Sequence, residues 1–132
     1  MLVVFEETIA STQSAIVDFL ILFKNRYLQL LSDNRMLLDR IEYVLMETLE
    51  NAHEHGNRRD DTKSIHICCW RDDERLTFAV EDEGDGFNGK IPATAPSISD
   101  RHGRGLFSIK EFTESLLLNA KGNKITFTFR TR

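Results

Sequence analysis

Three short stretches of the chain carry residue types that can act together on a charged ligand. The first is Glu47-Thr48-Leu49-Glu50-Asn51-Ala52-His53-Glu54-His55-Gly56. In a helix turning about 100° per residue, Glu47, Asn51 and His55 descend one narrow face. The apolar stripe of the same helix is Leu37, Ile41, Val44, Leu45, Thr48, Leu49 and Ala52. Asn51 and His55 fall at its edge, so they are expected to look into the seam between helix and sheet. A carboxylate and an amide oxygen are costly in a half-buried seam unless something polar occupies it. Hydrated Mg²⁺ with phosphates is such an occupant, because Mg²⁺ takes hard oxygen ligands. The same pattern also fits a solvated helix face with polar edges.

The second stretch is Val80-Glu81-Asp82-Glu83-Gly84-Asp85-Gly86-Phe87, at the end of an expected strand. A carboxylate there can accept a hydrogen bond from a nucleobase amino group, and the glycines let backbone approach a ligand closely. An acidic glycine turn is the plain alternative. The third is Arg101-His102-Gly103-Arg104-Gly105-Leu106, opening a helix. Unpaired N–H groups and the positive end of the helix dipole make such a start a natural anion cradle. A glycine-rich helix start without a ligand reads the same way. No Gly-Lys-Ser/Thr follows, so this is not a Walker loop.

The elements that position these stretches follow from periodicity. Residues 2–9 are β-rich and read as a first strand. Ser11 or Thr12 caps a helix running to about Leu31, with Ile16, Phe19, Leu20 and Phe23 on one stripe. Asp33 is the expected cap of a second helix, which runs to about His55 and stops at Gly56. A polar turn over 57–62 follows. Residues 64–70 and 76–81 read as strands joined by Asp72-Asp73-Glu74. After a glycine- and proline-containing loop over 83–104, a third helix is expected over 106–112. Strands over 115–119 and 124–130 are joined through Gly122-Asn123. Helices set apart from a block of hairpins give an α+β two-layer sandwich.

The chain has 132 residues, the length of a single domain, expected here over 1–132. Hydrophobic residues at 41% and charged residues at 29% describe a globular protein. A net charge of -4 argues against direct nucleic-acid binding, which wants a basic footprint. The adjacent Cys68 and Cys69 lack metal-ligand spacing and read as strand residues on opposite faces. The N-terminal Met1-Leu2-Val3-Val4-Phe5 turns acidic at Glu6 and Glu7, unlike a signal peptide. The apolar run over 19–23 is far too short for a bilayer. No membrane association is expected, and the expected compartment is the cytoplasm.

In order and spacing the three stretches resemble the boxes of the GHKL (gyrase/histidine-kinase/MutL) ATPase superfamily. Glu47-x-x-x-Asn51-Ala52-x-x-His55-Gly56 looks like the N box. Asp82-x-Gly84-x-Gly86-Phe87 looks like the first glycine box, and Gly103-Arg104-Gly105-Leu106 like the second. Within the superfamily the chain is most similar to the bacterial anti-sigma-factor serine/threonine kinases. The stand-alone length, the short segment over 87–102 and the run from Arg101 into Phe112-Thr113-Glu114 carry that similarity. His102 stands where the sporulation kinases usually have a small polar residue.

The resemblance implies a Bergerat-type fold, a mixed and largely antiparallel sheet packed on helices. It implies ATP and Mg²⁺ as ligands. Asn51 would ligate Mg²⁺, and Glu47 would act as general base or orient the attacking hydroxyl. Asp82 would read the adenine amino group, with Gly84 and Gly86 framing its pocket. Gly103, Arg104 and Gly105 would wrap the phosphates, and Arg101 would reach the terminal one. His55 matches an N-box position. The implied activity is phosphorylation of a serine or threonine on an anti-anti-sigma (STAS-type) partner, with sequestration of a sigma factor. The alternative is an ATP-binding module without kinase activity that switches partner binding through a lid over 88–101. Leu2, Val4, Phe5, Leu22, Tyr27 and Leu31 are read either as core or as a homodimer and partner face.

Overall fold

The computed structural model describes residues 1–86 and 101–131, with backbone alone for 101–105. The expected lid over 88–101 thus lies outside the described residues up to position 100.

The chain alternates between helices and hairpins. Strand β1 (Leu2–Ala10) leads into α1 (Gln13–Phe23), a π-helical turn (Lys24–Leu28) and the short α2 (Gln29–Leu31). Helix α3 (Arg35–Asn51) continues into a second π turn (Ala52–Gly56). Strands β2 (Ser64–Arg71) and β3 (Arg75–Asp82), helix α4 (Arg101–Phe112), and strands β4 (Ser115–Leu118) and β5 (Lys124–Arg130) complete it.

Caps explain where the first helices begin. Thr12 accepts from the Ala15 N–H and starts α1. Helix α3 is capped by Asn34, whose Oδ1 accepts from the Leu37 N–H, and not by the expected Asp33. Ser32 Oγ accepts from the Asn34 N–H and holds the cap in its extended conformation, so the helix starts one residue later.

The π turns have a readable cause. Along the first helical stretch the buried residues are Ile16, Phe19, Phe23, Leu28 and Leu31. The step from Phe23 to Leu28 is five residues, which regular α spacing cannot keep on one face but an i→i+5 turn can. The same step recurs from the buried Ala52 to the buried Asn57, whose N–H donates to the Ala52 carbonyl at 2.8 Å.

The sheet order is β1-β2-β3-β5-β4, and all four neighbouring pairs are antiparallel. Strands β3 and β4 both oppose β5, so they run the same way with β5 between them. The mixed character expected of the sheet is therefore a shared direction of β3 and β4, not a parallel ladder. The segment through α4 is a split βαβ crossover.

Register sets the core. Phe5, Cys69, Phe78 and Phe127 lie opposite one another across four strands, all on the inner face. Ile67 and Val80, and Leu76 and Phe129, flank that row. Residues of α1, α3 and α4 close over this face in one cluster that includes Phe19, Phe23, Leu45 and Ile109. Cys68 and Cys69 face opposite sides of β2, and burial pushes the Cys69 thiol well above its ordinary pKa.

Phe5 and Leu31 are core, and Val4 and Tyr27 pack against it. Leu2 and Leu22 are exposed, as are Val3, Val17 and Ile21. The apolar excess of β1 and α1 thus divides between core and surface. No helix among the described residues is long and apolar enough to cross a membrane.

Candidate functional site

The end of α3, the end of β3, the start of α4 and the β4–β5 turn meet around one cleft. Thr48, Asn51, Ala52, His55 and Gly56 line it from the helix end, and Val80, Asp82 and Gly86 from β3 and beyond. Leu106 lines it from α4, and Leu118, Gly122 and Ile125 from β4, β5 and their turn. Its empty space, the part open to solvent included, is about 500 Å³. The walls are apolar through Ala52, Val80, Leu106, Leu118 and Ile125, with two polar groups apart along the helix: Asp82 beside Gly56, and Asn51 five residues before that glycine. Such a lining suits a mostly apolar ligand with a hydrogen-bonding edge.

One end is built around Asp82. Its Oδ1 accepts from the Gly84 N–H at 2.8 Å. Burial pushes the carboxyl above its ordinary pKa; Glu81 adds to the shift, while the Gly84 hydrogen bond, Lys121 and Lys63 oppose it. Three glycines let the chain close here. A Cβ on Gly56 would run into the Asp82 carboxylate, and one on Gly84 into the Gly56 carbonyl. Gly86, at φ +99°, is pressed against the Lys121 carbonyl. Within the protein, these glycines make room for the N-box end, the β3 end and the β4–β5 turn to touch.

The other end is built around Asn51. Its Nδ2 is buried and has no hydrogen-bond partner among the described residues. A buried unpaired amide costs about 1–3 kcal/mol, so this side chain calls for a partner that the described residues do not supply. The two heavy atoms of the amide exchange by a half-turn, so the group can present oxygen to a cation as readily as nitrogen to an anion. His55 is exposed and lines the same cleft. It does so although the helix turns π after Asn51, which departs from the regular α spacing expected of this face. Glu47 stands half-buried one turn before Asn51 and does not itself line the cleft.

Helix α4 begins at Arg101, five residues earlier than expected. Arg101, Gly103, Arg104 and Gly105 are therefore its first residues and not a loop before it. The first four N–H groups of a helix have no partner within it, so the backbone at this end can still bind an anion. Leu106 belongs to the cleft wall, which puts the N-terminal part of α4 at its border. No group of three or more His, Cys, Asp or Glu side chains converges on a metal position among the described residues. A cation beside Asn51 would take most of its ligands from phosphate and water, as Mg²⁺ commonly does.

Sequence reasoning missed two contributors. Asn57, read as part of a polar turn, is fully buried and bonds to Ser64 of β2 and to Glu83, the residue after β3. The β4–β5 turn, read only as a connection, supplies Gly122 to the cleft wall. Their partners lie 7 to 41 residues away in sequence, so nothing local marks them.

A profile of the histidine kinase-like ATPase domain matches residues 23–129. This chain belongs to the histidine kinase-like ATPase family. The resemblance read from the three boxes therefore holds, and membership of an ATPase family implies that the chain binds ATP. Among curated relatives, an anti-sigma F factor of Lysinibacillus sphaericus is 27% identical over 99 residues, 69% of this chain and 68% of the relative. That agrees with the anti-sigma branch of the family. Among solved structures, a chain in the SiaB–SiaC complex from Pseudomonas aeruginosa has a TM-score of 0.66 and 14% identity. The match covers 98% of this chain and 89% of that one, a likeness of fold.

Proposed function

We propose that this ATPase-family chain binds ATP with Mg²⁺ in the cleft and transfers the terminal phosphoryl group to a serine or threonine of an anti-anti-sigma (STAS-type) partner. In the same reading it sequesters a sigma factor. The observation that carries the proposal is the buried amide nitrogen of Asn51, without a partner among the described residues, in the same partly apolar cleft as the half-buried Asp82. Asp82 suits a purine edge, and Asn51 a metal-bound phosphate. The likeness to an anti-sigma F factor supports the choice of partner class.

Each residue then has a role. Asp82 accepts from the adenine amino group, and Gly84 and Gly86 keep the backbone close to the ring. The amide oxygen of Asn51 holds Mg²⁺, which when bound neutralises phosphate charge. Backbone N–H groups of Gly103, Arg104 and Gly105 bind the phosphates, Arg101 the terminal one, and His55 lines the nucleotide cleft. Glu47 accepts the proton of the incoming serine hydroxyl, whose oxygen forms the new P–O bond as ADP leaves. General-base help of this kind gives roughly 10²–10⁴-fold. The exposed Leu2, Val3, Val17, Ile21 and Leu22 supply the face for a homodimer or partner.

A second reading keeps ATP binding and drops the transfer, so that nucleotide only switches partner binding. The position of Glu47 outside the cleft wall favours it. Incubation with radiolabelled ATP and single-domain STAS-type partners separates the two. Label on the partner supports the kinase. ATP binding without label supports the switch, and no ATP binding overturns both.

A further inference from the structure

Asp82 sits where the sheet stops helping it. The β3–β5 register ends at Glu81 opposite Lys124, so the peptide groups of Asp82 on that side lie past the ladder. Asn123 takes them over. Its carbonyl accepts from the Asp82 N–H at 2.9 Å, and its Nδ2 donates to the Asp82 carbonyl at 2.9 Å. Asn123 is itself fixed: its Oδ1 accepts from Asn119 Nδ2, and its N–H donates to Asn119 Oδ1.

Asn57 grips the next residue from the other side. Its Oδ1 accepts from the Glu83 N–H at 2.8 Å, and its Nδ2 donates to the Ser64 carbonyl at 3.0 Å. Its own N–H closes the π turn at the end of the N-box helix. One buried side chain thus ties that helix end to β2 and to the residue after Asp82. With the Gly84 N–H on the Asp82 carboxylate, every backbone donor from Asp82 to Gly84 is engaged. The carboxylate is left with little freedom to re-aim.

We propose that Asn123 and Asn57, which lie outside all three boxes, are positioning residues for base recognition. They fix the backbone on both sides of Asp82, so that its carboxylate meets an amino group at one place in the cleft, and thereby set the preference for adenine over guanine nucleotides. This rests on the reading of Asp82 given under Proposed function. A guanine presents a carbonyl where adenine presents its amino group. A carboxylate held in one orientation repels that carbonyl, whereas a mobile one can turn away.

The test is calorimetry of ATP and GTP binding to the wild type, Asn123→Ala and Asn57→Ala, with melting temperatures measured in parallel. Loss of positioning lowers the ratio of ATP to GTP affinity by about threefold to tenfold, the equivalent of one net hydrogen bond. A merely structural role lowers the melting temperature and leaves the ratio alone. Where Asn57→Ala does not fold, the half-buried Asn123 decides the question by itself. In an Asp82→Asn background, Asn123→Ala should leave the ratio unchanged, because there is no carboxylate left to aim. A folded Asn123→Ala protein with the wild-type ratio overturns the positioning role. If Asp82→Asn itself leaves the ratio unchanged, the reading of Asp82 falls and the inference falls with it.

Discussion

The two ends of the cleft are finished to different degrees. Around Asp82 the protein satisfies its own groups: three glycines bring backbones into contact, and Asn57 and Asn123 take up the peptide groups that the ladder leaves. Around Asn51 the described residues do not, and a buried amide nitrogen stands without a partner among them. A site that is rigid at one end and incomplete at the other suits a ligand with an invariant ring and a tail that brings its own ions. Rigidity where the ligand does not vary lowers the ordering cost of binding. Incompleteness where a cation and phosphates arrive leaves room for their coordination.

The largest expected effect lies one helical turn before Asn51. With Glu47→Gln, phosphoryl transfer to a partner serine drops roughly 10²–10⁴-fold, while ATP affinity stays within about threefold, well under 1.4 kcal/mol. Label transfer and calorimetry on the same preparation check this. A parallel fall in both makes Glu47 a brace, and an unchanged transfer rate leaves the switch reading standing.

At the finished end, Asp82→Asn costs about 1.5–3 kcal/mol of ATP affinity through loss of a charge-assisted hydrogen bond, with a smaller loss for GTP. The nucleotide-free protein should move the other way. Burial raises the Asp82 pKa above 3.8, so its protonated form is favoured by folding. That contribution is present below the unfolded value and is lost as pH rises through the folded one. At neutral pH the buried charge is a standing cost, so Asp82→Asn raises the melting temperature at pH 7 and loses this advantage near pH 3. Thermal melts at the two pH values read the sign directly.

Gly84→Ala places a methyl group against the Gly56 carbonyl. It should destabilise the fold by about 1–3 kcal/mol, as overpacking does, and weaken ATP and GTP together. Denaturant melts beside nucleotide titrations check this, and full stability in the variant would show that the two backbones are not held together. The smallest effect contrasts the ends most sharply. Asn51→Leu removes an unpaired buried amide, so the nucleotide-free fold should be unchanged or gain up to about 1 kcal/mol. Magnesium-dependent ATP binding should vanish in the same protein. A destabilised fold, or a magnesium dependence that survives, would deny Asn51 this role.

Much of this was legible in the sequence because the signals are local. Alternation placed β2, β3 and β5 within a residue or two, and the inward row through Cys69, Phe78 and Phe127 follows from it. The boxes put Asn51, His55, Asp82 and Gly86 in one family of sites, and the fold brings these four to one cleft. What was not legible depends on competition or distance. Asp33 and Asn34 both suit a cap, and the Ser32 hydroxyl decides for Asn34. The π turns show in the sequence only as five-residue steps, Phe23 to Leu28 and Ala52 to Asn57, which a regular helical wheel scatters. Helix α4 starts at Arg101 although Gly103 and Gly105 lie inside it, because tertiary context overrides weak glycine propensity. The clamp on Asp82 joins residues 41 positions apart, and no local pattern announces it.

A crystal structure with Mg²⁺ and a non-hydrolysable ATP analogue tests the central claim most directly. The account predicts the adenine amino group within hydrogen-bond distance of the Asp82 carboxylate, and the Asn51 amide oxygen in the coordination shell of the metal. A nucleotide bound elsewhere, or one that leaves Asn51 still unpartnered, would contradict it.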